Sequence, residues 1–117
     1  MRKPTFHRSV LNAVSGLFWM LKSERNFQLE ILALVINIIL IVFLELTSTD
    51  AALIYIVCFA VLSLEILNTA VEKICDVIKP EYDERIKIIK DISAGAVVLM
   101  AFCSVTVGIL VYSKYIF

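Results

Sequence analysis

The chain has 117 residues, of which 61% are hydrophobic, and its mean hydropathy is +0.92. A soluble domain has about 45–50% apolar residues, and here the excess lies in long uninterrupted blocks, which indicates an integral membrane protein. The formal net charge is zero, so no basic surface points to a nucleic-acid partner. The three cysteines and the single histidine have no spacing that is typical of a metal site or a redox pair.

The first helical pattern covers about residues 5–22. Its apolar residues recur at helical spacing, and most of its polar and basic residues lie elsewhere on the helix. A helix that combines aromatic and basic residues in this way is typical of the membrane interface. We therefore predict an amphipathic surface helix. We expect no cleavable signal peptide, because Asn12, Ser15 and Gly16 interrupt the apolar residues before a continuous hydrophobic region can form.

Three long apolar segments follow, at about residues 27–46, 51–71 and 92–112. Each has roughly the 20 residues that a helix needs to cross the hydrocarbon of a bilayer. The short polar link at residues 45–50 makes the first two spans antiparallel neighbours. We expect the second helix to continue to Ile78 and to stop before Pro80. Residues 79–90 are predicted to form a charged loop, in which Ile86, Ile88 and Ile89 indicate a turn of interfacial helix. The predicted fold is an all-α integral membrane protein.

The basic residues predict the orientation of these spans. Ten of the eleven Lys and Arg residues lie in the N-terminal segment or close to the loop after the second span, and the eleventh is Lys114. Cytoplasmic segments carry the excess of Lys and Arg in membrane proteins. The predicted topology therefore has a cytoplasmic N-terminus and a C-terminus outside.

A polar stripe interrupts the second span. Its four residues are spaced i, i+3, i+7 and i+11, which places them on one face of a helix. They are Glu65, Asn68, Glu72 and Asp76. A carboxylate at bilayer depth costs about 2.5–3.5 kcal/mol on insertion scales, and such groups usually face a bundle interior and have a function there. Two structural alternatives are polar contacts between packed helices and a helix end that reaches water.

Other polar residues converge on the same membrane level. Glu24 and Glu30 lie where the first span begins, and Lys90 and Asp91 lie just before the third span. Carboxylates with open coordination positions suit Mg²⁺, and a neighbouring lysine can neutralise phosphate oxygens. A carboxylate partly removed from water could accept the proton of a lipid hydroxyl. This combination is suited to phosphoryl transfer from a nucleotide to a lipid alcohol, although no G-x-x-x-x-G-K loop is present.

The motif Glu65-Ile-Leu-Asn68-Thr-Ala-Val-Glu72, followed by Asp76 and by Lys90-Asp91, resembles the prokaryotic diacylglycerol kinase family, as does Glu24 ahead of Phe27. The resemblance covers about residues 6–112. It implies a lipid kinase of the bacterial cytoplasmic membrane that uses ATP and Mg²⁺. It also implies a homotrimer of three-span protomers whose active sites lie at the cytoplasmic interface and are shared between neighbours.

The resemblance assigns roles to individual residues. It makes Glu65 the proton acceptor for the lipid hydroxyl and makes Glu24 and Glu72 the metal-holding carboxylates. Asn68, Asp76 and Glu30 are supporting polar residues of the same site. The implied nucleotide contacts are Lys90, Asp91, Glu81, Tyr82, Asp83 and Asn12. Asn12 stands where the enterobacterial branch has tyrosine.

Three short segments bear on the lipid substrate. Residues 24–28, 63–65 and 93–97 look more like the undecaprenol kinase branch of the family than its enterobacterial diacylglycerol branch. Undecaprenol is therefore the first expected substrate and diacylglycerol the alternative.

Two other function classes remain open from the residues alone. A small proton-coupled transporter could use Glu65 as its carrier site. The acids of such a transporter would be expected near the middle of the bilayer, whereas here they cluster at its inner face, and the chain has no inverted repeat. A non-catalytic subunit could use the polar stripe for oligomer packing, in which case Glu72→Gln would disrupt the assembly.

Overall fold

The computed structural model describes residues 2–117, and in that range the chain forms four α-helices and no strand. They are α1 (Phe6–Ser23), α2 (Arg25–Phe43), α3 (Ser48–Ile78) and α4 (Glu84–Ile116). The helices α2, α3 and α4 are each long and apolar enough to cross a membrane. The prediction of an all-helical protein with three candidate spans is confirmed. The location of α1 at the membrane surface and the trimer stay predictions.

Two backbone hydrogen bonds close the C-terminal end of α2 at the turn between α2 and α3. The Glu45 N–H donates to the Val42 carbonyl, and the Leu46 N–H donates to the Ile41 carbonyl. Glu45 has a φ of 54°, the left-handed conformation that this type of helix end requires. Leu46 packs against the buried cluster of Ile41, Ile54 and Val111, so the turn folds the chain back and places α2 and α3 side by side.

The central helix of the bundle is α3, which packs against both α2 and α4. One apolar cluster joins α1, α2 and α3 through buried Met20, Phe27 and Leu62. A second cluster joins α2, α3 and α4 through Ile41, Ile54 and Val111. Val111 is the one buried residue of α4. The many apolar side chains that remain exposed on α4 therefore lie where hydrocarbon or another protein surface would cover them.

The charged loop is shorter than the sequence indicated. The helix α3 ends at Ile78, as predicted, but residues 84–90, which we expected in the loop, form the first two turns of α4. The Asp83 side chain caps this helix by accepting from the Arg85 N–H at 2.8 Å. Lys87 and Asp91 then form an i,i+4 ion pair at 2.7 Å. Lys90 is consequently held on a helix and not on a loop.

Candidate functional site

A charged groove of about 550 Å³ lies where α3 ends and α4 begins. The α3 helix contributes Glu72 and Asp76 to its lining. Five of the six predicted nucleotide contacts also line it, namely Glu81, Tyr82, Asp83, Lys90 and Asp91. Asn12, the sixth, lies on the exposed surface of α1 and does not line this groove. The structure thus brings together residues that are up to 19 positions apart in the sequence.

The cations of the charged groove are paired with carboxylates. The Lys90 Nζ lies 2.7 Å from Asp76 Oδ1, which links α4 to α3. Both side chains keep substantial exposure to solvent, and exposed pairs of this kind contribute little net free energy. A phosphate oxygen can therefore replace the Asp76 carboxylate as the partner of Lys90 at small cost.

Asp83 holds the connection between α3 and α4. Its carboxylate accepts from the Arg85 side chain at 3.0 Å and from Lys79 Nζ at 2.9 Å. The hydrogen bonds from Arg85 and then from Lys79 keep the pKa of Asp83 well below its usual value. The neighbouring Tyr82 hydroxyl donates to Glu84 at 2.8 Å, which raises the pKa of Tyr82. The contacts of Asp83 thus hold this part of the lining of the charged groove in place.

Four glutamates form an acidic cluster where α1 meets α2 and where α2 packs on α3. They are Glu24, Glu30, Glu65 and Glu72. Glu65 is only 5% exposed, and the side chains of Asn26 and Glu30 lie near its carboxyl group. Glu24 and Glu72 lie within electrostatic range of it. Among residues 2–117, none of these four glutamates forms an ion pair with a Lys or Arg side chain.

The acidic cluster contains unsatisfied polar atoms. Glu30 Oε2 and Asn68 Oδ1 are buried and have no hydrogen-bond partner in the described chain. Buried polar atoms are normally paired, so each such atom requires an explanation. Several acidic groups without a cation, next to unpartnered oxygen atoms, fit a divalent metal ion.

The acidic cluster does not form a complete metal cage. No group of three or more His, Cys, Asp or Glu side chains in the described residues is arranged to hold an ion by itself. Mg²⁺ usually binds one or two carboxylates and completes its shell with water and substrate phosphates. Glu24, which precedes α2, and Glu72 on α3 both lie within electrostatic range of Glu65; their role as a metal-binding pair stays a prediction.

An apolar groove of about 450 Å³ lies between α1, α2 and α3. Nine of its ten lining residues are apolar, and Ser63 is the tenth. The α3 residues Leu62, Ser63 and Ile66, which flank Glu65 in the sequence, form part of its wall. Phe18 and Leu21 of α1 form the facing wall. The groove therefore offers a surface for a hydrocarbon chain close to the buried carboxyl group.

Asn26 is a polar neighbour of Glu65 that the sequence did not single out. Its signal was its place at the start of α2, two residues after Glu24. The pairing of Lys90 with Asp76 was also not predicted. Both pairs of residues lie on different helices, and helical spacing within one segment gives no information about such neighbours.

The sequence matches a known family over most of its length. The family described as prokaryotic diacylglycerol kinase matches residues 11–112. An undecaprenol kinase of Bacillus subtilis is 33% identical over 107 residues, which cover 92% of this chain and 87% of that protein. A diacylglycerol kinase of Synechocystis is 35% identical over 97 residues, which cover 82% of this chain and 55% of that protein. The chain therefore belongs to the prokaryotic diacylglycerol kinase family, a family of kinases, as its resemblance to that family implied.

Proposed function

We propose that the protein transfers the γ-phosphate of ATP to undecaprenol in the bacterial cytoplasmic membrane. One observation carries this proposal: along α3, buried Glu65 comes after Leu62 and Ser63, which line the apolar groove, and before Glu72 and Asp76, which line the charged groove. Glu65 and Glu72 are seven residues apart, which corresponds to about 10 Å along a helix. A lipid hydroxyl in one groove and a triphosphate that reaches in from the other could meet beside Glu65.

The proposed reaction assigns a task to each group. Glu65 accepts the hydroxyl proton as the alcohol oxygen forms its bond to the γ-phosphorus. The bond from that phosphorus to the β–γ bridging oxygen breaks, and ADP leaves with the electron pair. Lys90 neutralises charge on phosphate oxygens. Mg²⁺, when held by Glu24 and Glu72, supplies further neutralisation of the triphosphate.

Glu81, Tyr82, Asp83 and Asp91 are proposed to position the nucleotide in the charged groove. Asn68 and Asp76 are proposed as supporting residues. Asn12 has less structural support than these residues, because it lies on α1 outside the groove. We retain it as a proposed contact that a neighbouring protomer would have to bring to the nucleotide.

The composition of the apolar groove favours undecaprenol. Apart from its hydroxyl group, a polyprenol is a hydrocarbon, which matches a groove with one polar lining residue. The two ester carbonyls of diacylglycerol would lose their hydrogen bonds to water here, and an unpaired buried polar group costs about 1–3 kcal/mol. The similarity to the Bacillus subtilis undecaprenol kinase supports the same choice. Diacylglycerol is the second candidate, because the Synechocystis relative bears that name.

The proposed assembly is a homotrimer with active sites shared between protomers at the cytoplasmic face. The long exposed apolar surface of α4 supports a larger assembly. Cross-linking of the protein in membranes, followed by mass measurement of the products, tests this part independently of activity.

The kinase proposal is tested with purified full-length protein in lipid and radiolabelled ATP. We expect label to appear on undecaprenol and, more slowly, on diacylglycerol. Glu65→Gln and Glu72→Gln should each lower kcat by about 10²–10⁴-fold, the usual contribution of a positioned acid or base. Arg2→Gln, far from both grooves in the sequence, is the control. A loss below about tenfold for either glutamate variant would contradict its role.

A further inference from the structure

The junction between α1 and α2 interrupts the helix at a single residue. Glu24 has an extended backbone, with φ −110° and ψ 114°, so α1 ends at Ser23 and α2 begins at Arg25. The last carbonyl groups of a helix have no partner within it. The Glu24 N–H donates to the Met20 carbonyl at 3.0 Å. In an uninterrupted helix the Leu21 carbonyl would accept from the Arg25 N–H, and the extended Glu24 removes that partner.

The side chain of Gln28 supplies the missing donor. Its Nε2 atom donates to the Leu21 carbonyl at 2.9 Å, across seven positions of the sequence. The backbone N–H of Gln28 donates to the Glu24 carbonyl at 3.1 Å. One residue of α2 is therefore bonded both to the interruption and to the last turn of α1.

The end of α1 that Gln28 holds is a wall of the apolar groove. Leu21 itself and Phe18 line this groove opposite the α3 residues, whereas Gln28 does not line it. The charged groove differs, because all of its lining residues belong to α3, to α4 or to the connection between them. A displacement of α1 therefore changes the apolar groove and leaves the lining of the charged groove intact.

We propose that Gln28 is a positioning residue that fixes the α1 wall of the apolar groove, so that the groove is already formed for the hydrocarbon chain of the lipid substrate. This inference rests on the proposed function and deepens it. Gln28 touches neither lipid nor nucleotide in this scheme and acts through the Leu21 carbonyl. Without its N–H donor, α1 can move relative to α2 about the extended Glu24. The groove is then correctly formed in only a fraction of the molecules, which lowers the apparent affinity for lipid by that fraction.

Two substitutions separate the hydrogen bond from the length of the side chain. In Gln28→Met the terminal methyl carbon is as many bonds from the backbone as Nε2 but cannot donate. In Gln28→Arg the Nε atom stands at that same position and carries an N–H. We expect Gln28→Met to raise the KM for undecaprenol by about three- to tenfold, the factor that one net hydrogen bond represents. Gln28→Arg should bring this KM back to near the wild-type value.

The other kinetic constants should not change with the KM for undecaprenol. The KM for ATP should be the same in Gln28→Met and in wild-type protein, because no residue of α1 or α2 lines the charged groove. The kcat should stay within about twofold of the wild-type value, since saturating lipid keeps the apolar groove formed. A general loss of structure would not separate the constants in this way.

The experiment measures both KM values and kcat of the full-length protein in mixed micelles, with size-exclusion chromatography to check assembly. Gln28→Glu, which keeps the side-chain length but has no N–H donor at neutral pH, is a second variant that should show the same rise in the KM for undecaprenol. Hydrogen exchange in α1, measured by mass spectrometry without substrate, is a readout independent of activity. It should be faster in Gln28→Met than in wild-type protein and in Gln28→Arg.

Two sets of results separate the possible failures. If wild-type protein phosphorylates no lipid alcohol, the proposed function fails, while faster exchange in Gln28→Met still supports the role of Gln28 in holding α1. If wild-type protein is active and the KM for undecaprenol is unchanged in Gln28→Met and Gln28→Glu, the inference is overturned. It is also overturned if Gln28→Arg is as impaired as Gln28→Met, if the KM for ATP rises equally, or if exchange in α1 does not change.

Discussion

Lys90 and Asp76 form an ion pair between α4 and α3 in the charged groove. The Lys90 ammonium lies 2.7 Å from a carboxylate on another helix, an exposed and therefore weak interaction that a phosphate can replace. Asp83 differs, because three separate donors converge on its carboxylate, namely Lys79 Nζ and the backbone and side chain of Arg85. We therefore expect Asp83 to make the free energy of unfolding depend on pH.

The first prediction concerns Asp83→Asn. The pKa of Asp83 is lower in the folded protein than in the unfolded chain. Its ionised form therefore stabilises the fold at pH values above the unfolded pKa of about 3.9. This stabilisation is lost as the pH falls through the folded-state pKa. The unfolding temperature of wild-type protein should exceed that of Asp83→Asn at neutral pH, and the gap should narrow below about pH 4. Asp91→Asn, which removes an exposed ion pair, is the control. A gap that stays constant with pH would contradict the assignment.

Helix packing at the end opposite the charged groove depends on a polar contact between α3 and α4. Asp50, in the first turn of α3, is 7% exposed. It accepts from Lys114 Nζ at 2.9 Å and from the Tyr115 hydroxyl at 2.6 Å. The same Tyr115 oxygen accepts from the Thr47 N–H at 3.0 Å. This contact fixes the C-terminal end of α4 against the start of α3.

The second prediction compares two tyrosines of α4. Tyr112→Phe removes one hydrogen bond to Asn37, and such bonds within membranes contribute about 0.6 kcal/mol on average. Tyr115→Phe removes two bonds and leaves the buried Asp50 carboxylate with one donor fewer, so it should lower the unfolding temperature more. Thermal unfolding of the purified variants in one detergent provides the measurement, with exposed Tyr82→Phe as the control. Equal effects of the two α4 substitutions would show that the Asp50 contact does not secure the helix end.

The contact of α1 with α3 includes a cation–π interaction. The Lys73 ammonium lies 5.2 Å from the centroid of the Trp19 ring, within the range at which such pairs attract. Met20, the next residue of α1, is buried in the cluster with Phe27 and Leu62. These contacts hold α1 over the apolar groove.

The third prediction uses the single tryptophan of the chain as a probe of α1. Lys73→Met removes the cation from the Trp19 ring and should loosen α1, so the Trp19 emission spectrum should shift and hydrogen exchange in α1 should accelerate. Lys22→Met, on α1 itself but without this contact, is the control. Identical spectra for Lys73→Met and wild-type protein would indicate that α1 is held by apolar packing alone.

The Lys and Arg residues are distributed unequally between the two ends of the helix bundle. Glu24 at the α1–α2 junction lies within electrostatic range of Glu65 on α3, toward the end where α3 leads into α4. Lys114 lies with Asp50 at the other end. The bundle therefore has one end rich in Lys and Arg and one end with a single lysine. This distribution supports the proposed orientation.

The fourth prediction tests that orientation. Alkaline phosphatase fused after Phe117 should be active, because the C-terminus is expected outside the cytoplasm, where this enzyme acquires its disulfides. The same fusion after Ile78 should be inactive, since that position lies at the proposed cytoplasmic end. The reverse pattern would overturn the topology.

Much of the fold was predictable from the sequence, because membrane spans and helical faces depend on local composition and on the 3.6-residue period. The three apolar helices, the end of α3 at Ile78 and the shared face of Glu65, Asn68, Glu72 and Asp76 follow from these rules. The start of α4 was misjudged: its charged first turns resemble a loop until the Asp83 cap is known. The family was also recognisable from the motif at residues 65–72 together with Asp76 and Lys90-Asp91.

The tertiary structure decided which helices meet and therefore which polar groups become partners. Two contacts join residues of different helices: the pairing of Lys90 with Asp76, and the contact of Lys114 and Tyr115 with Asp50. Spacing along one helix fixes the direction of a side chain relative to its own axis, but not the rotation and depth of the neighbouring helix. Those are set by side-chain packing, here through Phe27, Leu62 and Val111.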